Sequence, residues 1–392
     1  MSYKIRTGLD LAEKSWPRSL VDSKVGLLVH PASVNGNLFN ASDVFQKSRK
    51  FMLKALFGPQ HGIKGETQDN MIEWEGYNDP KKGIPVFSLY GRNRKPSPLM
   101  LKDLDVLVID LQDIGARYYT FIWTMALAFE ACQELKKTVV VLDRPNPIGG
   151  HIIEGPVLKP AFSSFVGLHP LPVRHGMTIG EIALYLNDLF YPFLKLHVIP
   201  IKGWERKMWF DKTKLFWVLP SPNIPTLDSA TVYPGMCLLE GTNLSEGRGT
   251  TRPFEIFGAP FIEPDELIKR LNGFRLPGVI FRPLYFLPTF QKYSGILCGG
   301  AQIHVTDRER FKPFKSAVTV LKAIHDLYPD DFAWKNPPYE YEEVIQPIDM
   351  LAGTDRVRKD IEQGVDLRYM EAWWDHELRE FDKKIRRKYL LY

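Results

Sequence analysis

Residues 105–143, DVLVIDLQDIGARYYTFIWTMALAFEACQELKKTVVVLD, contain two short apolar runs on either side of a longer apolar segment. The runs 105–111 and 138–143 are rich in β-branched residues and lack polar alternation, which is typical of strands buried on both faces. Between them, residues 119–135 carry apolar side chains three or four positions apart, as on one face of a helix. Those side chains are Ile122, Met125, Phe129 and Cys132. The stretch therefore predicts a strand–helix–strand unit with parallel strands.

The same alternation continues on both sides of this unit. Further β-rich apolar runs, also interpreted as buried parallel strands, lie at residues 24–30, 51–57, 84–89 and 196–201. A second helix is predicted for residues 178–190, because Thr178 is a good N-cap and Glu181 completes a capping box. Alternating strands and helices predict an α/β fold with a Rossmann-like, doubly wound parallel sheet. We assign this N-terminal domain to residues 1–250.

After residue 250 the pattern becomes mixed. Strands are predicted at 279–286 and 301–306, and helices at 309–327, 355–363 and 368–387. We interpret residues 251–392 as a smaller α+β auxiliary domain that packs tightly on the first.

Composition narrows the class of protein. The 392 residues are 44% hydrophobic and carry 51 basic and 46 acidic side chains, as in a globular protein. The basic run 383–388 is interpreted as the outer face of a terminal helix, so no nucleic-acid partner is expected. Cys132, Cys237 and Cys298 lack paired spacing and are expected to be reduced. Without a leader-like or membrane-spanning run, the chain is expected to be cytoplasmic and to have no membrane partner.

Residues with functional side chains follow three of the predicted strands. Gln60 and His61 follow the second strand, Gln112 and Asp113 the fourth, and the segment 143–147 the fifth. In a doubly wound sheet, ligands bind beyond the carboxyl ends of the strands. We therefore expect these side chains to meet in one crevice.

A further candidate is the segment 240–255, EGTNLSEGRGTTRPFE, which has neither helical nor strand periodicity. It combines three carboxylates, two arginines, an asparagine and three glycines. Carboxylates exchange protons, arginines grip acids in a bidentate fork, and glycines allow close backbone approach. The segment is predicted to be a site loop at the seam between the two domains.

Several chemistries are disfavoured by missing motifs. No strand is followed by Gly-x-Gly-x-x-Gly, the glycines of segment 240–255 lack the phosphate-loop lysine and spacing, and neither Gly-x-Ser-x-Gly nor His-Glu-x-x-His occurs. The scattered histidines, including His61 and His175, are interpreted as hydrogen-bonding residues rather than metal ligands. We expect no metal and no cofactor.

The remaining chemistry suits hydrolysis of a hydroxylated substrate that carries an acid. Glycoside cleavage needs a carboxylic acid beside the leaving oxygen, and a second carboxylate or a substrate group on the other face. The candidate carboxylates are Glu240, Glu246, Glu154 and Asp113. For each of them a structural salt bridge or cap is an equally good interpretation.

Several segments resemble, in order, blocks of the NamZ/YbbC-like exo-β-N-acetylmuramidases, formerly a domain of unknown function. The first blocks are LFGPQHG (56–62), SLYG (88–91), IDLQDIGARYYT (109–120) and VLDRPNP (141–147). Later blocks are IEGP (153–156), SFVG (164–167), HGMTIGE (175–181), PSPNIP (220–225), the segment 240–255 and YLLY (389–392). The resemblance extends over nearly the whole chain.

This resemblance implies a Rossmann-like domain plus an auxiliary domain, with the active site in the cleft between them. It also implies removal of N-acetylmuramic acid from the non-reducing ends of peptidoglycan fragments, so the expected partner is a small saccharide or muropeptide. The lactyl carboxylate of that sugar suits Arg248, Arg144 or Arg117. Other side chains assigned to substrate binding are Asn146, Asn223, Asn243, His175, Asp113 and Glu154.

One position departs from the family pattern. The family motif Phe-Gly-Pro-x-His-Gly typically has glutamate, a proposed catalytic residue, where this chain has Gln60. An amide does not exchange protons as a carboxyl does. Another carboxylate such as Glu66 or Glu246 does the work, or the chain is an impaired or altered relative, or the glutamine was introduced to trap a ligand.

Two hypotheses follow. In the first, the protein is a glycosidase in which Glu246 or Glu240 is the acid/base, His61 assists it, and Asp113 or Glu154 holds the sugar. In the second, it is a binding protein for muropeptides or amino sugars that has no catalytic activity.

Overall fold

The computed structural model describes residues 5–68 and 71–392. Its strands are β1 (Ser23–Val29), β2 (Phe51–Gly58), β3 (Tyr77–Asp79), β4 (Ile84–Ser88), β5 (Val106–Asp110), β6 (Thr138–Leu142), β7 (Glu154–Val157), β8 (Pro172–Arg174), β9 (Lys195–Ile199), β10 (Ile256–Ala259), β11 (Val279–Phe286) and β12 (Cys298–Val305). Its α-helices are α1 (Gly8–Ser15), α2 (Ala41–Lys47), α3 (Pro98–Leu101), α4 (Phe121–Glu134), α5 (Ile179–Phe190), α6 (Leu227–Met236), α7 (Pro264–Asn272), α8 (Pro313–Leu327), α9 (Pro347–Ala352), α10 (Arg356–Glu362) and α11 (Leu367–Lys384).

The main sheet has the order β3-β4-β2-β1-β5-β6-β9. All neighbouring pairs are parallel except β3–β4, which is antiparallel. Without β3, the parallel strands follow the order 3-2-1-4-5-6 of a Rossmann fold. The α/β prediction is therefore confirmed, with one antiparallel edge strand that was not predicted.

Alternate residues of the central strands supply two cores, one on each face of the sheet. On β6, Val139 and Val141 join a core with α4 and α5, whereas Val140 and Leu142 join a core with α1 and α2. Side chains alternate across a strand, so a run of apolar residues fills both faces. The edge strand β9 departs from the prediction of a buried strand, because Lys195 and His197 are exposed and Leu196 and Val198 are only partly buried.

The predicted helices occur close to their expected positions. Residues 121–134 form α4, and α5 begins after Thr178, whose side chain and that of Glu181 form the predicted capping box. Near the end of the chain, α8 begins at Pro313 rather than at residue 309. Proline is favoured in the first helical turn because its missing N–H has no partner there.

The C-terminal part is built on the antiparallel sheet β10-β12-β11 with helices against it. Contacts cross between the two parts: α11 packs against β7, and α6 packs against α8. Helix α6 precedes residue 250 in sequence, but it packs on α8 of the C-terminal part. A domain boundary at residue 250 therefore stays a prediction.

The structure also bears on the expectations about the cysteines, the basic run and membrane-spanning segments. All three cysteines are buried and free of disulfides. The basic run 383–388 is not wholly an outer face, since Arg386 is 6% exposed and donates to the carbonyl oxygens of Gly150 and Gly176. No helix among the described residues is long and apolar enough to cross a membrane.

Candidate active site

A cleft opens beyond the carboxyl end of β2, on the side where the segment 240–255 and the loop 336–346 meet the main sheet. Its polar lining consists of Gln60, His61, Thr120, Ser221, Asn223, Glu240, Arg248 and Glu340. Its aromatic lining consists of Tyr118, Tyr119, Tyr233, Phe254 and Tyr339. The cleft therefore joins carboxylates, one guanidinium and aromatic rings, a combination suited to a sugar that carries an acid.

The turn after β2 places Gln60 and His61 in the cleft. A side chain at Gly58 would lie 2.6 Å from the Trp74 ring, so glycine is needed for this close approach. His61 has a left-handed backbone with φ of 66°, and its Nδ1 lies 2.8 Å from the Thr67 carbonyl oxygen. Burial lowers the pKa of His61 to about 4. The ring is therefore neutral near pH 7, with Nδ1 donating and Nε2 left as an acceptor.

Gln60 is 8% exposed and is fixed by three side chains. Its carbonyl oxygen accepts a hydrogen bond of 2.7 Å from Thr120 Oγ1, at the start of α4. Its amide nitrogen donates to Tyr90 Oη at 3.0 Å and to Glu340 Oε1 at 3.3 Å. Gln60 thus ties the main sheet to the loop 336–346.

Glu340 is the cleft carboxylate that sequence reasoning missed. It is 5% exposed, and its Oε2 accepts a hydrogen bond of 2.9 Å from Tyr90 Oη. Burial raises the pKa of Glu340 to about 7, the nearby charge of Glu240 adds to this, and hydrogen bonds from Tyr90 and Gln60 oppose it. Glu340 therefore takes up and releases a proton near neutral pH.

The loop that carries Glu340 has an unusual backbone. Glu340 and Tyr341 are consecutive residues with φ of 44° and 68°, the left-handed region that L-residues seldom adopt. Each such residue costs about 1–3 kcal/mol, and such residues cluster at functional sites. Tyr341 is held by the Arg94 guanidinium, 3.9 Å from its ring centroid, and donates to Glu73 at 3.2 Å.

Arg248 joins the two predicted acids of the segment 240–255. Its Nη2 lies 2.9 Å from Glu240 Oε1, and its Nη1 lies 2.9 Å from Glu246 Oε1. Glu240 also accepts a hydrogen bond of 2.7 Å from Tyr339 Oη. Arg248 and Glu240 line the cleft, so these two predicted residues lie where the sequence placed them.

Glu246 lies behind Arg248 and does not line the cleft. It is 1% exposed, and Lys292 Nζ lies 3.0 Å from its Oε2. Burial alone would raise the pKa of Glu246, but the charges of Lys292 and Arg248 outweigh it and lower the pKa to about 2. The geometry suits a carboxylate that holds Arg248 in place rather than one that exchanges protons.

Asn223 is a predicted binding residue that does line the cleft. Its amide donates to the Gln68 carbonyl oxygen at 2.6 Å. Glu66, an alternative acid near Gln60, is exposed and is not part of the cleft lining.

Other predicted binding residues support loops instead of facing the cleft. Arg117 is fully buried and donates to the carbonyl oxygens of Pro156, Leu171 and Leu351 at 2.7–2.9 Å. Asn146 donates to the Met177 carbonyl oxygen at 2.9 Å. Buried backbone carbonyls need donors, and these side chains supply them where loops cannot pair with each other.

Asp113 and His175 pair with each other away from the cleft. His175 Nε2 lies 3.1 Å from Asp113 Oδ2, which also accepts the Gly115 N–H at 2.7 Å. Asn243 binds the loop after α8 through the Asp331 carbonyl oxygen and the Ala333 N–H. These contacts position loops.

Glu154 is placed at the junction of the two parts of the chain. It accepts the Lys315 N–H at 2.9 Å in the first turn of α8, where a carboxylate is favoured by the helix dipole. Burial raises the pKa of Glu154 to about 7. It does not line the cleft.

Arg144 and Gln112 line a second pocket, separate from the cleft. Its Nε and Nη2 hold Asp110 at 2.6 Å and 2.8 Å in a bidentate pair. His30 is 1% exposed; its Nε2 accepts a hydrogen bond of 2.9 Å from the backbone N–H of Gln112, and its Nδ1 lies 3.1 Å from the Pro220 carbonyl oxygen. The expectation that all three strand ends share one crevice is therefore corrected.

The described residues contain no cluster of three or more His, Cys, Asp or Glu side chains arranged to hold a metal ion.

The fold combines a Rossmann-like domain with an auxiliary domain. Its cleft holds two carboxylates and an arginine among polar and aromatic side chains, which is the arrangement of a glycosidase-like protein. Comparison with known proteins makes this specific. Residues 25–228 match the N-terminal model of the exo-β-N-acetylmuramidase NamZ, and residues 231–392 match its C-terminal model. The chain belongs to the NamZ family of exo-β-N-acetylmuramidases.

A curated relative and two solved structures are similar along the whole chain. The peptidoglycan β-N-acetylmuramidase NamZ of Bacillus subtilis (strain 168) is 47% identical over 389 residues, which is 99% of this chain and 92% of the relative. A crystal structure of a DUF1343 family protein from Bacteroides fragilis NCTC 9343 has a TM-score of 0.89 and 37% identity, covering 99% of both chains. A second protein of that family and organism has a TM-score of 0.76 and 29% identity, covering 100% of this chain and 99% of the other.

Proposed function

We propose that this protein is an exo-acting glycosidase that removes β-linked N-acetylmuramic acid from the non-reducing end of peptidoglycan fragments. The observation that carries the proposal is that Glu240 and Glu340, far apart in sequence, line one cleft together with Arg248. Glycoside hydrolysis requires such carboxyl groups around the scissile bond. Family membership and the 47% identical peptidoglycan β-N-acetylmuramidase support the same activity.

Arg248 is our candidate anchor for the lactyl carboxylate of the substrate. Its two Nη atoms hold glutamates, but its Nε has no hydrogen-bond partner among the described residues. A buried N–H without a partner is costly, and an acceptor on the ligand would satisfy it. Asn223 and Thr120, which also line the cleft, are suited to sugar hydroxyl or acetamido groups.

The second hypothesis, an impaired relative that only binds, is not supported. Gln60 is its sole basis, and the structure offers other carboxyls in the same cleft. The curated relative with 47% identity is an enzyme. The cytoplasmic location expected from sequence stays a prediction, which fractionation of the source cells tests.

The test of the proposed function is direct. The unmodified protein is incubated with two substrates. One is the β-1,4-linked disaccharide with N-acetylmuramic acid at the non-reducing end and N-acetylglucosamine at the reducing end, and the other is the 4-nitrophenyl β-glycoside of N-acetylmuramic acid. We expect release of free N-acetylmuramic acid from both, and none from the matching N-acetylglucosaminide, which lacks the lactyl group. No release from either muramide would refute the proposal, and release only after Gln60→Glu would favour the impaired relative.

A further inference from the structure

We propose that Glu340 is the group that protonates the leaving glycosidic oxygen, and that Gln60 and Tyr90 are positioning residues for it. This inference rests on the proposed glycosidase function and names the proton donor of that same cleft. It explains how a chain with glutamine at position 60 keeps a carboxylic acid at this point of the cleft.

The geometry places the Glu340 carboxyl where an acid at position 60 would act. Gln60 Nε2 lies 3.3 Å from Glu340 Oε1, so the two side chains end at the same spot on the cleft wall. Thr120 fixes the other end of the Gln60 amide. The amide is therefore a rigid donor that orients the carboxyl of Glu340.

The charged and titratable groups around Glu340 come from several elements. The residues that shift its pKa are Tyr90, Glu240, Gln60 and Arg248, and the charge of Glu340 in turn raises the pKa values of its neighbours Tyr339 and Tyr341. No Lys or Arg within the described residues forms an ion pair with Glu340, whereas Glu240 is paired with Arg248 and Glu246 with both Arg248 and Lys292. A general acid must hold its proton until the reaction, which suits the carboxyl that is not ion-paired.

Proton transfer from Glu340 balances as follows. The carboxyl proton moves to the glycosidic oxygen while the bond from C1 to that oxygen breaks, and the leaving sugar departs as a neutral alcohol. A water molecule then adds its oxygen to C1 and releases one proton, which restores the proton of the site. No oxidant, reductant or metal is needed.

The choice of leaving group gives the decisive experiment. We compare Glu340→Gln with Glu343→Gln, a matched change at an exposed glutamate of the same loop. On the disaccharide, whose sugar leaving group needs a proton, kcat/KM of Glu340→Gln is expected to fall about a hundredfold to ten-thousandfold. On the 4-nitrophenyl glycoside, whose leaving group departs as a stable anion, the loss is expected to be less than about tenfold. Glu343→Gln is expected to match the unmodified protein on both.

Two results would overturn the assignment while leaving the proposed function intact. One is an active unmodified protein together with Glu340→Gln activity equal to that of Glu343→Gln. The other is an equal loss on both substrates, which would point to a role other than protonation. An unmodified protein that cleaves neither muramide refutes the proposed function instead.

Tyr90→Phe keeps the inference testable if Glu340→Gln does not fold. The Tyr90 hydroxyl donates to Glu340 and lowers its pKa, so removing it raises the pKa of this acid. The alkaline limb of the kcat/KM profile against pH, expected near 7 in the unmodified protein, should move to higher pH in Tyr90→Phe. An unchanged limb, or one that moves down, contradicts the assignment.

Discussion

Glu246 and Glu340 are both almost fully buried glutamates near the same cleft, yet they hold protons in opposite ways. Arg248 and Lys292 contact Glu246, and its pKa is lowered to about 2. Within residues 5–68 and 71–392, the hydrogen-bond donors to the Glu340 carboxylate are a hydroxyl and an amide, and burial raises its pKa to about 7. Burial disfavours the charged form in both, so the cations decide the difference.

The two glutamates therefore have different roles: Glu246 holds a neighbouring side chain in place, and Glu340 is able to exchange a proton. The segment 240–255 is rich in functional residue types, and its ion pairs hold Arg248 in place. The loop 336–346 lacks a recognisable motif, but it brings a carboxyl without an ion pair to the cleft. A concentration of charged residues in a sequence therefore marks the site without identifying its acid.

The largest effect on stability is expected from Arg248→Ala. The change removes the guanidinium that pairs with the buried carboxylates of Glu240 and Glu246. Breaking a buried ion pair by removing one partner costs about 3–5 kcal/mol. Urea denaturation measures the loss in the free energy of unfolding. Arg252→Ala, which removes a half-exposed arginine paired with Glu255, is the control and should cost less than about 1 kcal/mol. A similar small cost for both variants would contradict the role given to Arg248.

A smaller effect, with opposite sign, is expected when Glu340→Gln is compared with the unmodified protein across pH. The folded pKa of Glu340 lies above its unfolded value of 4.5, so its contribution to stability is complete below pH 4.5 and is lost as pH rises to about 7. From pH 4.5 to 8, the difference in unfolding free energy should move in favour of Glu340→Gln, by about 3 kcal/mol. Glu343→Gln should show no such drift. A constant difference across pH would mean that Glu340 is ionised throughout.

A shift of about one pH unit or more is expected from Gln60→Glu. It places a second carboxyl about 3.3 Å from that of Glu340, where two negative charges disfavour each other. The alkaline limb of kcat/KM should therefore move to higher pH. Gln363→Glu, at an exposed position, makes the same chemical change as a control. A limb that stays in place would show that the two side chains do not interact in solution.

Much of the fold could be predicted from the sequence because its signals are local. The apolar runs of the central strands and the capping box of Thr178 and Glu181 depend only on neighbouring residues. The strand β3 and the hairpin β7–β8 were not predicted, because short strands such as Tyr77–Asp79 carry too little pattern.

The site was predictable only in part. Gln60 could be predicted because it follows the end of a strand. Arg248 could be predicted because it lies in a segment where glycines interrupt any helical or strand pattern. Glu340 is one of three glutamates within four residues of a loop, and Glu342 and Glu343 look the same in sequence. Conversely, Arg117 resembles a ligand-binding residue in sequence, but tertiary packing commits it to backbone carbonyls.

The position of the scissile oxygen relative to residue 340 decides whether Glu340 is the proton donor. A crystal structure of Glu340→Gln with the uncleaved disaccharide of N-acetylmuramic acid and N-acetylglucosamine would measure its distance from each side chain of the cleft. We predict that the residue 340 carboxamide lies within hydrogen-bond reach of the glycosidic oxygen, about 2.6–3.2 Å. A glycosidic oxygen within reach of Glu240 but remote from residue 340 would show that Glu340 is not the proton donor.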